Sequence, residues 1–150
     1  MIPEPSPPAG LNHLTLAVAD LDRAFDFYVR TLRCRPRARW ARGAYLSVGP
    51  LWLCLSLDAG AAPREDYTHV ALDADAADMD AWRARLAAAG VPLWKANASE
   101  GDSIYFLDPD GHRLELHAGS LESRLRAVRA APYEGMVLFD PATGEPDAVG

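Results

Sequence analysis

One lysine, two cysteines and no basic excess set the first limits on this 150-residue chain. Cys34 and Cys54 do not amount to a disulfide framework, so a reducing compartment, the cytoplasm, is the expected setting. A net charge of −6 argues against a nucleic-acid-binding surface and leaves no polybasic patch for a membrane. Long hydrophobic runs are missing too. The uncharged stretch Gly43 to Leu57 has 15 residues and is broken at Gly49-Pro50, too short and interrupted for a bilayer span. The opening Met1-Ile-Pro-Glu-Pro-Ser-Pro-Pro lacks a basic start and an apolar core, so no signal peptide is expected there. Of 15 cationic residues, 14 are arginine. The single ammonium, Lys95, reflects either composition bias or a site that needs a compact point charge where a planar fork would not serve.

What is present fits one small enzyme domain. With 49% hydrophobic residues the chain can bury one core, expected over residues 10–139 between flexible tails at 1–9 and 140–150. Two half-chains, about 10–58 and 66–118, repeat one pattern. A short alternating run (Leu11 to Val18, then Tyr67 to Asp73) precedes a helical stripe (Leu21, Ala24, Phe25, Tyr28, Leu32, then Met79, Trp82, Leu86, Ala89). Asp20 is a candidate N-cap, and Gly90 a candidate stop. Three strands should follow each helix: 37–41, 44–48 and 51–57 in the first half, and 93–97, 103–107 and 113–118 in the second. Turns fall at Gly43, Gly49-Pro50 and Asp108-Pro-Asp-Gly111. A last helix, about 120–131, opens at Ser120 with Leu121, Leu125 and Val128 inward. The pattern predicts an α+β fold of paired βαβββ modules with mixed sheets and a C-terminal helix.

His13 and His69 occupy the same place in the two copies, and Glu115 lies on the closing strand of the second. Alternation puts His13, Thr15 and Ala17 on one strand face, Tyr67, His69 and Ala71 on another, and Arg113, Glu115 and His117 on a third. Two imidazoles and one carboxylate make a three-ligand metal site with open positions, which suits catalysis better than structure. His112, in the turn, is expected to be solvated, and His117 is a weaker rival ligand. The stretch Ser99-Glu-Gly-Asp-Ser103 is either an ordinary polar hairpin loop or a loop whose oxygens wrap a hard cation, with Gly101 permitting the curl. Lys95, Tyr105 and Arg124 would then offer donors to an anionic substrate.

At these residues a resemblance becomes specific. Gly10-Leu-Asn-His-Leu-Thr-Leu-Ala-Val-Ala-Asp20, Gly43-Ala-Tyr45, Leu51-Trp-Leu-Cys-Leu-Ser56, Asp66-Tyr-Thr-His69, Trp94-Lys95, the 99–103 loop, Tyr105-Phe-Leu-Asp-Pro-Asp-Gly-His-Arg-Leu-Glu115 and Ser123-Arg-Leu125 resemble the FosA-type fosfomycin glutathione transferases. That family belongs to the vicinal oxygen chelate (glyoxalase/bleomycin-resistance) superfamily. The resemblance implies a domain-exchanged homodimer. Each site would take His13 from one subunit and His69 with Glu115 from the other, around Mn(II). It implies that Thr15 sits by the oxirane oxygen, that Lys95, Ser99, Tyr105 and Arg124 hold the phosphonate, and that Trp52 and Tyr67 shape the carbon side. Ser99, Glu100, Gly101 and Ser103 would form a potassium loop, and Trp40, Tyr45, Ser56 and Lys95 would line the path of the glutathione co-substrate. Ala98 and Arg42 depart from an arginine and a glutamine usual in the family, both in the thiol region.

Other chemistries of the same fold place different demands on the chain. A glyoxalase I would want a carboxylate where Cys54 aligns with Glu115. An iron oxygenase shares the two-histidine, one-carboxylate set but leaves the cationic cluster unexplained. A non-catalytic drug-binding protein needs no complete triad. A fosfomycin hydrolase needs a base near the oxirane, which by resemblance is a glutamate in the turn after the second strand. That turn here is Ala41-Arg-Gly-Ala44, and no glutamate occurs from Pro5 to Arg64.

Overall fold

In the computed structural model, which describes residues 1–147, each half of the chain builds its own four-stranded sheet. The first contains β1 (His13–Val18), β2 (Arg35–Trp40), β3 (Gly43–Val48) and β4 (Leu51–Leu57), in the order β1-β4-β3-β2. The second contains β5 (Val70–Asp73), β6 (Leu93–Lys95), β7 (Asp102–Leu107) and β8 (Arg113–Ala118), in the order β5-β8-β7-β6. In both, the opening strand lies parallel to the closing one and the remaining pairs are antiparallel. A helix intervenes where the chain must return in parallel, and short turns suffice elsewhere.

Those helices form where the apolar stripe and caps agree. The Asp20 carboxylate accepts the Arg23 N–H at 3.0 Å and starts α1 (Leu21–Asp26), which widens into a π turn over Phe27–Thr31. The second crossover begins as a 3-10 turn at Ala76–Asp78, continues as α2 (Met79–Ala88) and stops at Gly90 with φ 67°. Helix α3 (Leu121–Ala130) opens with a reciprocal Ser120–Ser123 cap. No helix among the described residues is long and apolar enough to cross a membrane.

Besides shifts of one or two residues at strand ends, four details differ from the sequence reading. The strand expected from Tyr67 starts only at Val70, because the Asp66 carboxylate takes the Thr68 N–H at 3.0 Å and turns the backbone before the sheet begins. His69 therefore sits just ahead of β5. Ala89 is exposed at the end of α2, and Leu121 is exposed at the first turn of α3, leaving Val128 as the buried residue of that helix. His112 is half-buried rather than solvated, and its ring N–H reaches the Ala17 carbonyl at 2.6 Å.

The two modules share one core, to which Tyr28, Leu46 and Leu55 contribute from the first half and Met79, Phe106 and Leu114 from the second. Polar links cross the same boundary. The Tyr28 hydroxyl donates to Asp108 at 2.7 Å, the Ala19 N–H donates to Asp110 at 2.8 Å, and Arg85 donates to the Thr31 carbonyl at the end of the π turn at 2.7 Å. Burial pushes the Asp108 carboxyl above its ordinary range and the Tyr28 hydroxyl well above its own. Beyond α3, Phe139 bridges to Pro146, and Asp147 pairs back with Arg129 of that helix at 2.7 Å. Of the tail expected at 140–150, residues 148–150 lie outside the described residues.

Candidate metal centre

Strand alternation sends Leu16 and Val18 of β1 into the core and leaves His13 and Thr15 on the open face. On the neighbouring strands, His13 pairs with Trp52, Thr15 with Cys54, and Cys54 in turn with Tyr45. The second sheet repeats these steps: Ala71 pairs with Glu115, and Glu115 with Tyr105. His13 precedes Thr15 by two residues, as His69 precedes Ala71. His13 is thus to Cys54 what His69 is to Glu115, and the alignment of the halves inferred from sequence holds at the level of hydrogen-bond register.

Both histidines are oriented through Nδ1. His13 Nδ1 lies 2.7 Å from the Asn12 side-chain oxygen, and His69 Nδ1 lies 3.0 Å from the Tyr67 carbonyl. Each acceptor fixes the tautomer with the proton on Nδ1 and leaves Nε2 as a lone pair, which is how metal-binding imidazoles are prepared. His69 Nε2 then faces Glu115 Oε2 at 3.1 Å, with the carboxyl buried. An imidazole nitrogen and a carboxylate oxygen at that distance share either a proton or a metal ion, and the donor set, one imidazole nitrogen with one carboxylate oxygen, fits Mn(II) or Zn(II). His13 does not join them within one chain: among the described residues, no three His, Cys, Asp or Glu side chains are close enough to hold an ion. His117, the rival ligand, turns its Nδ1 to Ser103 at 2.7 Å instead.

Around the His69–Glu115 pair stands an aromatic wall. Ring centroids of Tyr67 and Trp94 lie 5.1 and 5.6 Å from that of His69, and Trp94 packs on Tyr105 at 5.2 Å. Lys95 donates to the Tyr67 hydroxyl, and its ammonium sits 4.8 and 4.9 Å from the Tyr67 and Tyr105 ring centres. The hydrogen bond to Tyr67 raises the Lys95 pKa further, keeping it cationic. Arg124 reaches from α3 into the 99–103 loop, donating to the Glu100 carboxylate at 3.2 Å, the Glu100 carbonyl at 2.9 Å and Ser99 Oγ at 3.4 Å. Lys95, Tyr67 and Tyr105 are therefore gathered on one side of Glu115, and Ser99, Glu100 and Arg124 form a second group.

The open face of the first sheet is aromatic. His13, Trp52, Tyr45 and Trp40 follow one another with centroid spacings of 4.6, 5.1 and 4.8 Å, and all four are exposed. Beside Trp40 an open cleft of about 670 Å³ is lined by Asp20, Asp22, Arg39 and Leu57. Tyr45 and Ser56 lie outside that lining, and Arg42 is turned to the Leu57 carbonyl at 3.4 Å.

Two residues, Asn12 and Asn97, and one role, that of Ser103 toward Glu115, escaped the sequence reading. Asn12 orients His13. Asn97 staples the loop, its amide donating to the Gly101 and Ser99 carbonyls at 2.8 and 3.4 Å. Ser103 donates to Glu115 Oε1 at 2.7 Å. The last was within reach, because a hairpin turn at Asp108–Gly111 sets Ser103 opposite His117 and diagonal to Glu115.

Comparison with known proteins bears on this geometry. Residues 10–116 match the Glyoxalase/Bleomycin resistance protein/Dioxygenase superfamily. The chain is 53% identical over 132 residues to the glutathione transferase FosA of Serratia marcescens, covering 85% of this chain and 94% of that one. It is 37% identical over 138 residues to the metallothiol transferase FosB of Shouchella clausii, covering 87% and 94%. Among solved structures it is similar to a variant of the fosfomycin resistance protein FosX of Listeria monocytogenes, complexed with Mn(II) and 1S,2S-dihydroxypropylphosphonic acid. That match has a TM-score of 0.72 and 30% identity, covering 79% of this chain and 98% of the other.

Proposed function

The chain belongs to the Glyoxalase/Bleomycin resistance protein/Dioxygenase superfamily and, within it, to the family of the FosA glutathione transferases, and from that premise we propose that it inactivates fosfomycin by joining the glutathione sulfur to its epoxide. The observation that carries the reading is the 53% identity to a glutathione transferase over most of both chains.

In the proposed enzyme, a homodimer working in the cytoplasm, His13 of one subunit and His69 with Glu115 of the other hold Mn(II). When bound, the ion supplies Lewis-acid stabilisation to the epoxide oxygen, where charge develops mainly in the transition state. The chain's own residues do the rest. Lys95, Ser99, Tyr105 and Arg124 hold the phosphonate, and Trp52 and Tyr67 flank the carbon skeleton. Trp40, Tyr45, Ser56 and Lys95 line the approach of the thiol. Ser99, Glu100, Gly101 and Ser103 receive K+, which together with Lys95 and Arg124 offsets a dianion that would otherwise repel an incoming thiolate. The thiolate sulfur forms a bond to an oxirane carbon, and the carbon–oxygen bond breaks with its electron pair going to oxygen. Thr15 donates a hydrogen bond to that oxygen, which takes up one proton as the thiol has lost one; Tyr45 assists the thiol's deprotonation.

The first module supports thiol rather than water as nucleophile, since no glutamate occurs from Pro5 to Arg64 to serve as base. Cys54 at the Glu115-equivalent position speaks against a glyoxalase I, which needs a fourth ligand there. Purified protein with Mn(II) and K+ is expected to leave fosfomycin intact until glutathione is added, and then to convert it to a product carrying glutathione's mass. Replacing K+ by Na+ should lower the rate several-fold, each tenfold being about 1.4 kcal/mol. Diol formation without thiol would overturn the transferase reading.

A further inference from the structure

Glu115 has a second set of partners, on the side away from His69. Ser103 Oγ lies 2.7 Å from Glu115 Oε1 and 2.7 Å from His117 Nδ1. A hydroxyl has one proton to give, and an ionised carboxylate can only accept. Ser103 therefore donates to Glu115 and accepts from His117, which fixes the His117 proton on Nδ1. The result is a directed line, His117 N–H to Ser103 and Ser103 O–H to Glu115 Oε1, that leaves Glu115 Oε2 turned to His69. Ser103 and Glu115 are both buried, so the line is sheltered from competing water.

The His117 ring is itself held. A Cβ at Gly101 would stand 2.8 Å from its Cε1, and a Cβ at Gly119 would stand 2.6 Å from its Nε2. Gly101 (φ 80°) carries the 99–103 loop across this ring, and its carbonyl is tied down by Asn97 at 2.8 Å. The first sheet has no such line. By register, Gly43 and Ser56 occupy the places of Ser103 and His117, beside Cys54 in the place of Glu115. The fold forms without these polar groups where no carboxylate needs aiming.

We propose that His117 is a positioning residue for metal binding: acting through Ser103, it sets the plane of the Glu115 carboxylate and ties it to the 99–103 loop. This rests on the reading of Glu115 as a metal ligand. Groups that orient ligands in this way commonly change metal affinity by about 10–100-fold.

The test is Mn(II) titration of the full-length apoprotein in potassium-free buffer, with free Mn(II) read by its electron paramagnetic resonance signal. His117→Phe, which fills the space without a donor, should weaken Mn(II) about tenfold and alter the bound-ion spectrum. Ser103→Ala should do the same, and the double variant should be no weaker than either single one. His117→Asn, which keeps a donor at similar reach, should recover affinity to within about threefold of wild type. Unchanged affinity in His117→Phe, multiplying losses in the double variant, or no recovery in His117→Asn would overturn the proposal. Should His117→Phe fail to fold, Ser103→Ala and His117→Asn carry the same decision. Glu115→Gln separates the two levels. If it binds Mn(II) like wild type, the ligand reading falls and takes this proposal with it. If it loses Mn(II) while His117→Phe and Ser103→Ala keep it, only the positioning role is wrong.

Discussion

At matched steps of register the first sheet offers Thr15, Cys54 and Tyr45, and the second offers Ala71, Glu115 and Tyr105. The backbone plan is the same; the chemistry is divided. One open face is a row of aromatic rings from His13 to Trp40, and the other gathers a carboxylate, an ammonium and the Arg124-bound loop. The turns differ as well. Gly49-Pro50 between β3 and β4 is exposed, whereas the equivalent Asp108–Gly111 turn folds its carboxylates inward against Tyr28 and the β1–α1 junction. Duplicating a module copies its hydrogen-bond ladder, and side chains at a few open positions are then free to specialise.

The sharpest way to break this comparison is to treat matched residues alike. Glu115→Gln should lower kcat/KM for glutathione addition by at least about 100-fold, since it removes a transition-state interaction of roughly 3 kcal/mol. Cys54→Ala at the matched position should leave kcat/KM within about threefold and cost stability of about 1–2 kcal/mol through lost packing. Steady-state rates with denaturant melts decide it; equal losses of activity would mean that the sheets are not divided as argued.

The turns make a second pair. Tyr28→Phe strips a buried carboxylate oxygen of its donor and should cost about 1–3 kcal/mol in urea unfolding, while Pro50→Ala should stay within about 0.5 kcal/mol. A pH dependence follows. Burial raises the Asp108 pKa in the folded state above its ordinary 3.8. The folded state thus holds that proton more tightly, and the contribution of Asp108 to stability is full below 3.8 and lost as pH rises through the raised value. Wild type should therefore lose stability relative to Asp108→Asn over that window. A pH-independent difference between the two would contradict the assigned cause.

Much of this was legible in the sequence, for identifiable reasons. The β113–118 strand, the Asp20 and Ser120 caps and the Gly90 stop are local signals, and local signals survive in the fold. His13 and His69 stood out because both copies print a histidine at the same offset, and the matched register sets Glu115 beside one of them and Cys54 beside the other. What escaped depended on which way a side chain turned. Asp66 competes with the sheet and delays β5, His112 finds the Ala17 carbonyl, and Ser103 links His117 to Glu115, all through partners set by packing rather than by spacing. Leu121 reads as inward on periodicity, yet at the first turn of α3 it is 68% exposed.

A smaller effect is expected at Lys95. Its register partner is Tyr105, and the matched residue against Tyr45 is Ala38. Lys95→Met should raise the fosfomycin KM about tenfold, roughly 1.4 kcal/mol of anion binding, with Lys95→Arg only partly restoring it. Ala38→Lys should change it less than about twofold. A comparable shift at both positions would place the anion between the sheets rather than on the second.

The central claim is that the first sheet of one subunit and the second sheet of its partner assemble one metal site. Mixing His13→Ala chains with His69→Ala chains tests it most directly. Each variant alone should be inactive, and after subunit exchange half of the dimers should be mixed, with one intact site each, giving about a quarter of wild-type glutathione-adduct formation. Mixed dimers detected by native mass spectrometry, yet no more active than either parent, would contradict the account.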